Sequence, residues 1–174
     1  LISKLPDKDE FEVHMFEPNP TTFKIVQEKY GQHNLYQKAV HNENTTRHLT
    51  LEFDPSTGVE DWVGGATNIM EDVFKKPDYI KDEYIKHKNM VVECIDLSEW
   101  IQQNFDFRDT ILLKLDIEGS EYEILDKMIS DGTIDYINGI VVEWHGHLRN
   151  DEVKHPNYYV NIFIYSYYIM LTFN

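Results

Sequence analysis

The chain has 174 residues, enough for one domain with a sizeable core. It carries 31 Asp and Glu against 16 Lys and Arg, a net charge of −15, which argues against a dedicated nucleic-acid binder or a protein docking on anionic membranes. Cys94 is the only cysteine, so no internal disulfide or cysteine cluster forms, and a reducing, cytoplasmic setting is expected.

Lys4, Asp7, Lys8, Asp9 and Glu10 make the first ten residues too charged for a signal peptide. Residues 12–16 form a short apolar strand ending at Glu17. Pro18-Asn19-Pro20 breaks it, with Asn19 as N-cap and Pro20 at the first helical position. Phe23, Val26 and Tyr30 share one face of that helix, and Gly31 closes it. Residues 35–40 read as the next strand, so strand, helix and strand make a right-handed parallel crossover.

Residues 41–90 are less regular. A strand is expected over 48–53, with turns at Pro55, Gly58 and Gly64-Gly65. The mixed-charge stretch 79–88 reads as a mobile insertion or a solvated helix. Asn44-Thr45-Thr46 is a glycosylation triplet of the kind that arises by chance. Residues 90–95 form a strand, and Asp96 with Glu99 gives a capping box for a helix packed through Leu97, Trp100 and Ile101.

The most informative stretch is Ile-Leu-Leu-Lys-Leu-Asp-Ile-Glu-Gly-Ser-Glu-Tyr-Glu at 111–123. Ile111–Leu115 suits a strand covered on both faces. Gly119 permits a tight turn, and Ser120 with Glu123 predicts a capping box. Tyr122, Leu125, Met128 and Ile129 give the helix its apolar stripe, and Gly132 ends it. Residues 137–144 form one more strand. Residues 158–173, YYVNIFIYSYYIMLTF, fall short of the ~20 apolar residues that span a bilayer and read as buried strand.

Three groups could carry chemistry. Glu17, just past a strand of a nucleotide-binding α/β unit, could accept hydrogen bonds from ribose hydroxyls. Asp116 and Glu118, two apart in an extended segment, point to one side. There they could bind a metal, orient a hydroxyl, or raise one another's pKa for general-base work. Glu143, His145 and His147 recur at period two with Trp144 opposite, which suits metal ligation, a proton acceptor, or plain loop histidines. The remaining histidines, His14 and His41 among them, show no ligand spacing. Trp62 and Trp100 read as packing residues, and Gly64-Gly65 is no phosphate loop. No metal site is assigned.

Segments 13–26 (VHMFEPNPTTFKIV), 34–46 (NLYQKAVHNENTT) and 111–128 (ILLKLDIEGSEYEILDKM) together resemble the FkbM-type family of S-adenosylmethionine-dependent methyltransferases. The last follows the family's Lys-(apolar)-Asp-(apolar)-Glu-Gly-(small)-Glu signature, and the likeness covers roughly residues 11–147. It implies an α/β fold, a mostly parallel Rossmann-like class I methyltransferase sheet, and O-methylation of a hydroxyl on a sugar or other small molecule. It implies S-adenosyl-L-methionine as cofactor, held by Glu17, Asn19, Ala39, Val40 and Asp116. Asp116, Glu118, Glu143 and His145 fall where acceptor and methyl sulfonium meet, with His145 as base and Asp116 orienting the acceptor or a metal.

The sequence departs from the family seriously at one place, and its C-terminal end also looks short of the family's usual last helix and strand pair. The glycine-rich turn that should precede residue 12 is absent, and so is the strand before it, which would lie mid-sheet between 12–16 and 111–117. The expectation is therefore a single, incomplete domain with unpaired edges at its centre. Two other readings stay open: a non-catalytic methyltransferase-like binding module, and a nicotinamide-dependent oxidoreductase, to which Glu17 would suit equally.

Overall fold

The computed structural model describes residues 11–53, 86–145 and 170–171. The first crossover is β1 (His14–Phe16), α1 (Pro20–Tyr30) and β2 (Asn34–Tyr36), with β1 and β2 parallel and His14 opposite Asn34. Asn19 caps α1 as its position predicts: its side-chain oxygen accepts from the Thr21 and Thr22 amides at 2.9 and 3.5 Å. Val26 is the buried residue of that helix, and Phe23 and Tyr30 are half-buried beside it. Gly31 does close α1, but not through a left-handed turn, since its φ is −61°. A Cβ there would stand 2.7 Å from the Gln27 carbonyl oxygen, so close approach is what requires glycine.

The strand expected over 35–40 is two strands with different partners. β2 ends at Tyr36, and β3 (Ala39–His41) pairs in parallel with β5 (Lys86–Asp96), Ala39 opposite Cys94. β4 (Thr45–Phe53) lies antiparallel on the other side of β5, Thr45 opposite Cys94 and Phe53 opposite Lys86. Residues 86–88, expected in a mobile or helical stretch, belong to β5. β4 supplies the partner that draws them into a ladder, something local composition cannot reveal.

Asp96 then caps α2 (Leu97–Asn104), its carboxylate accepting from the Glu99 amide at 3.1 Å. The Asn44 side chain takes the Asp96 N–H at 3.0 Å and donates to Glu99, so the glycosylation triplet's asparagine is occupied at a helix start. Trp100 packs edge-on to His14, Phe16, Tyr36 and Phe105, as a packing residue should.

β6 (Ile111–Leu115) is the hub of the third group of strands. It pairs in parallel with β7 (Ile137–Val142) and, on its other edge, with β8 (Met170–Leu171), Leu113 opposite Met170. β8 also lies alongside β1. The edge of β6 facing β1, expected bare, is thus paired by a strand from far along the chain. A bulge at Asn138 shifts the β6–β7 register, and its side chain accepts from the Ile111 amide at 2.6 Å. Alternate residues of β6 are buried, with Leu112 and Lys114 half-buried, so one face is more open than a doubly covered strand predicts.

α3 (Glu121–Ser130) buries Tyr122, Ile124, Leu125 and Met128, while Ile129 is 43% exposed; Ile124 takes the inward place expected of Ile129. Gly132 does end the helix, in the left-handed region at φ 79°. One continuous core joins Phe16, Val40, Ile95, Ile101, Leu113, Leu115 and Met128, tying these strands and helices together. Among the described residues, four of the five strand pairings are parallel, β4–β5 being the exception. The mixed, mainly parallel α/β character is as expected. Trp62, Gly64-Gly65, His147, residues 79–85 and most of 158–173 lie outside the described residues.

Candidate active site

Two acidic sites lie just past strand ends, at β1 and at β6. Glu17 follows β1 directly and is 2% exposed. Its backbone N–H donates to the Tyr36 carbonyl at 3.0 Å, which extends the β1–β2 ladder and fixes where the side chain starts. Carboxylate Oε1 accepts from the Asn19 amide at 2.7 Å. Oε2 is buried with no hydrogen-bond partner among the described residues. Burial pushes the Glu17 carboxyl up to about 8, against which the Asn19 amide pulls only partly. A buried carboxyl with one open oxygen is ready to meet a hydroxyl donor. Asn19 already spends its side chain on α1 and its N–H on Glu17, so it acts by holding Glu17. Ala39 and Val40 are buried in β3, 4% exposed each, in different core clusters.

The second site is built by the turn after β6. Glu118 adopts φ 52° and Gly119 φ 109°, a conformation that glycine takes freely and glutamate takes at a cost. The turn exposes the amides of Ile117 and Gly119, and the Glu121 carboxylate accepts both, at 3.1 and 3.0 Å. That replaces the predicted Ser120–Glu123 capping box, because Ser120 makes no side-chain cap bond. Glu121, fully buried, reaches back from the first helical turn and satisfies the turn itself.

Glu121 also holds His145, whose Nδ1 donates to its Oε1 at 2.8 Å. His145 stands three residues past β7 and is 7% exposed; the Glu143 amide, donating to the Leu115 carbonyl at 2.8 Å, keeps this segment beside β6. The other ring nitrogen, Nε2, lies 3.8 Å from Glu118, 3.9 Å from Asp116 and 4.0 Å from Glu143. Lys114 pairs with Asp116 through the other carboxylate oxygen. Asp116, Glu118 and His145 each offer one donor atom, and the three lie within 4.8 Å of one another.

The electrostatics follow. Burial, reinforced by Asp116, Glu121 and Glu143, lifts the Glu118 carboxyl to about 7, while His145 opposes the rise. Burial works against charging His145, yet the bond to Glu121 and the charges of Glu118, Glu121 and Asp116 carry it up to about 8. Asp116, Glu118, Glu143 and His145, the four residues singled out as catalytic candidates, come together around the His145 ring. Glu143 is their open member, its side chain 63% exposed. Trp144, behind them, packs on Tyr122 with ring centres 5.1 Å apart. Glu121 and Lys114 were given no role from the sequence, although both are letters of the Lys-x-Asp-x-Glu-Gly-x-Glu run. Burial pushes the Cys94 thiol up to about 11, away from the thiolate form that nucleophilic chemistry uses.

The family described as the methyltransferase FkbM domain matches residues 3–165 of the chain. No curated protein and no solved structure matches it. Among the described residues, no helix is long and apolar enough to cross a membrane.

Proposed function

The chain belongs to the FkbM methyltransferase family, and from that premise we propose that it is an S-adenosylmethionine-dependent O-methyltransferase acting on a hydroxyl of a sugar or other small molecule. One observation carries the cofactor assignment: the buried Glu17 oxygen without a partner among the described residues. A ribose offers two hydroxyl donors, and a carboxylate just past a strand end is the group that receives them in nucleotide-binding α/β sheets. Asn19 keeps Glu17 in place through its amide. The buried Ala39 and Val40 would line the cofactor's side of β3 through their backbone.

The cofactor supplies an electrophilic methyl group, so the protein has to align the acceptor oxygen and accommodate its proton. Asp116, Glu118, Glu143 and His145 are the groups for both tasks. Glu121 fixes which nitrogen of His145 faces the acceptor by occupying Nδ1. Lys114 holds Asp116 and fixes which of its oxygens is turned towards His145.

The test is calorimetric titration of S-adenosylhomocysteine into this chain and into one extended upstream of Leu1. Binding by either form, weakened at least about tenfold by Glu17→Ala, is the expected result. Binding by neither, or binding indifferent to Glu17→Ala, overturns the assignment.

A further inference from the structure

Near the carboxyl ends of β6 and β7, four carboxylates gather about one imidazole and one ammonium: Asp116, Glu118, Glu121 and Glu143 around His145 and Lys114. Asp116 and Glu118 have side chains only 20% and 18% exposed, and Glu121 is fully buried. Lys114 and His145 balance part of that negative charge, and a bound cation would share the rest. Lys114 serves one oxygen of Asp116 and leaves the other turned towards His145.

The spacing is informative. Nε2 of His145 stands 3.8 and 3.9 Å from oxygens of Glu118 and Asp116, too far for direct hydrogen bonds. Donor atoms around a shared ion, with metal–ligand bonds of about 2.1 Å, sit roughly 3.0–3.4 Å apart. The two His145 edges need a contraction of about half an ångström. All three donor atoms already lie within 4.8 Å of one another, so side-chain rotation has to draw the two carboxylates in as well. We propose that Asp116, Glu118 and His145 bind a divalent first-row cation of the Mn2+ or Zn2+ class. Two carboxylate oxygens and one imidazole nitrogen are the donor set such ions accept, and they leave coordination positions open.

The far side of His145, within the same cluster, is arranged consistently with this assignment. The carboxylate of Glu121 holds Nδ1 of His145 at 2.8 Å and is itself pinned by the Ile117 and Gly119 amides. A carboxylate on the far nitrogen is how ligating histidines are oriented and made more basic at the near one. Glu121 is a positioning residue here, acting on the ion through His145.

The inference rests on the methyltransferase reading only for its consequence. An ion with open positions takes the acceptor hydroxyl oxygen and lowers its pKa. The proton passes to Glu143, the exposed carboxylate of the group. The oxygen–methyl bond then forms as the sulfonium's methyl–sulfur bond breaks, leaving a thioether.

The experiment is titration of Mn2+ into the chelator-treated chain, followed by the loss of the free-ion electron paramagnetic resonance signal, with S-adenosylhomocysteine calorimetry on the same samples. One equivalent of Mn2+ should bind, competed by Zn2+. Glu118→Gln should weaken it at least about tenfold and Glu121→Gln by about 10- to 100-fold. If wild-type chain leaves the Mn2+ signal unchanged, or if folded Glu118→Gln binds Mn2+ as wild type does, the inference is overturned, even where S-adenosylhomocysteine binds. Mn2+ binding without S-adenosylhomocysteine binding supports the ion site and removes the methyltransferase consequence.

Discussion

Glu17 and the Asp116–His145 group are both acidic, both largely buried and both placed just past strands, yet they are solved in opposite ways. Glu17 stands alone with one amide partner and an open oxygen. The other group is crowded, with every carboxylate near a histidine and one against a lysine. A lone buried carboxyl lowers its cost by keeping its proton, so it suits a neutral hydroxyl ligand. A crowded set of carboxylates needs compensating positive charge, so it suits a cation or a proton in transit. Chemical kind alone therefore does not assign a buried acid; its company does.

The sharpest way to break this contrast is Glu121→Ala. It would leave His145 without the carboxylate that orients it and two turn amides without an acceptor. The expected loss is about 3–5 kcal/mol in urea unfolding, and a loss under about 1 kcal/mol would show that the crowded site does not depend on its hub.

Glu17 comes next. Its folded pKa, about 8, lies above the ordinary 4.5, so the folded state holds the proton more tightly than the unfolded one. Stability from this group is complete below about pH 4.5 and is lost as pH rises to about 8. At pH 7 the deficit is about 3 kcal/mol. Glu17→Gln should remove its share of the slope between pH 5 and 8 and leave the shares of Glu118 and His145, read by urea midpoints at several pH values. Ligand hydroxyls favour the ionised form, so binding S-adenosylhomocysteine at pH 7 should release a proton. Calorimetry in two buffers of different ionisation enthalpy measures it, and proton uptake would contradict the lone-carboxyl picture.

Smaller effects separate the two helix starts. Asn19→Ala should cost about 1 kcal/mol, because its oxygen caps α1. Ser120→Ala should change stability by less than about 0.5 kcal/mol, because Ser120 makes no cap bond and its hydroxyl is buried without a partner among the described residues. A full capping loss at Ser120 would restore the capping box that the sequence suggests.

Several local signals were legible where one residue's chemistry decides, Ser120 being the counter-example. Asn19-Pro20, Asp96 before α2 and Gly132 after α3 all act as their types predict. Asp116, Glu118 and His145 were each singled out by strand-end position or alternation, and the fold brings them together. What periodicity cannot carry is the identity of a partner. The break after Tyr36 depends on β1 and β5 each claiming half of one apolar run. Residues 86–88 depend on β4. Glu121 carries no signal of its own in the sequence, and only the left-handed turn at Glu118 and Gly119 turns two amides towards it.

The pairing of Leu113 with Met170 also constrains the order in which this sheet can assemble. β1 and β2 meet through a short helical connection, whereas β6 gains β8 only after a long stretch of chain has been made and looped back. Closing a loop of that length loses entropy before its contacts compensate. On a ribosome, β8 is the last of the described strands to emerge, so its pairing with β6 waits until residues 170–171 are made. A chaperone or a neighbouring nascent chain would find its best opening during that interval.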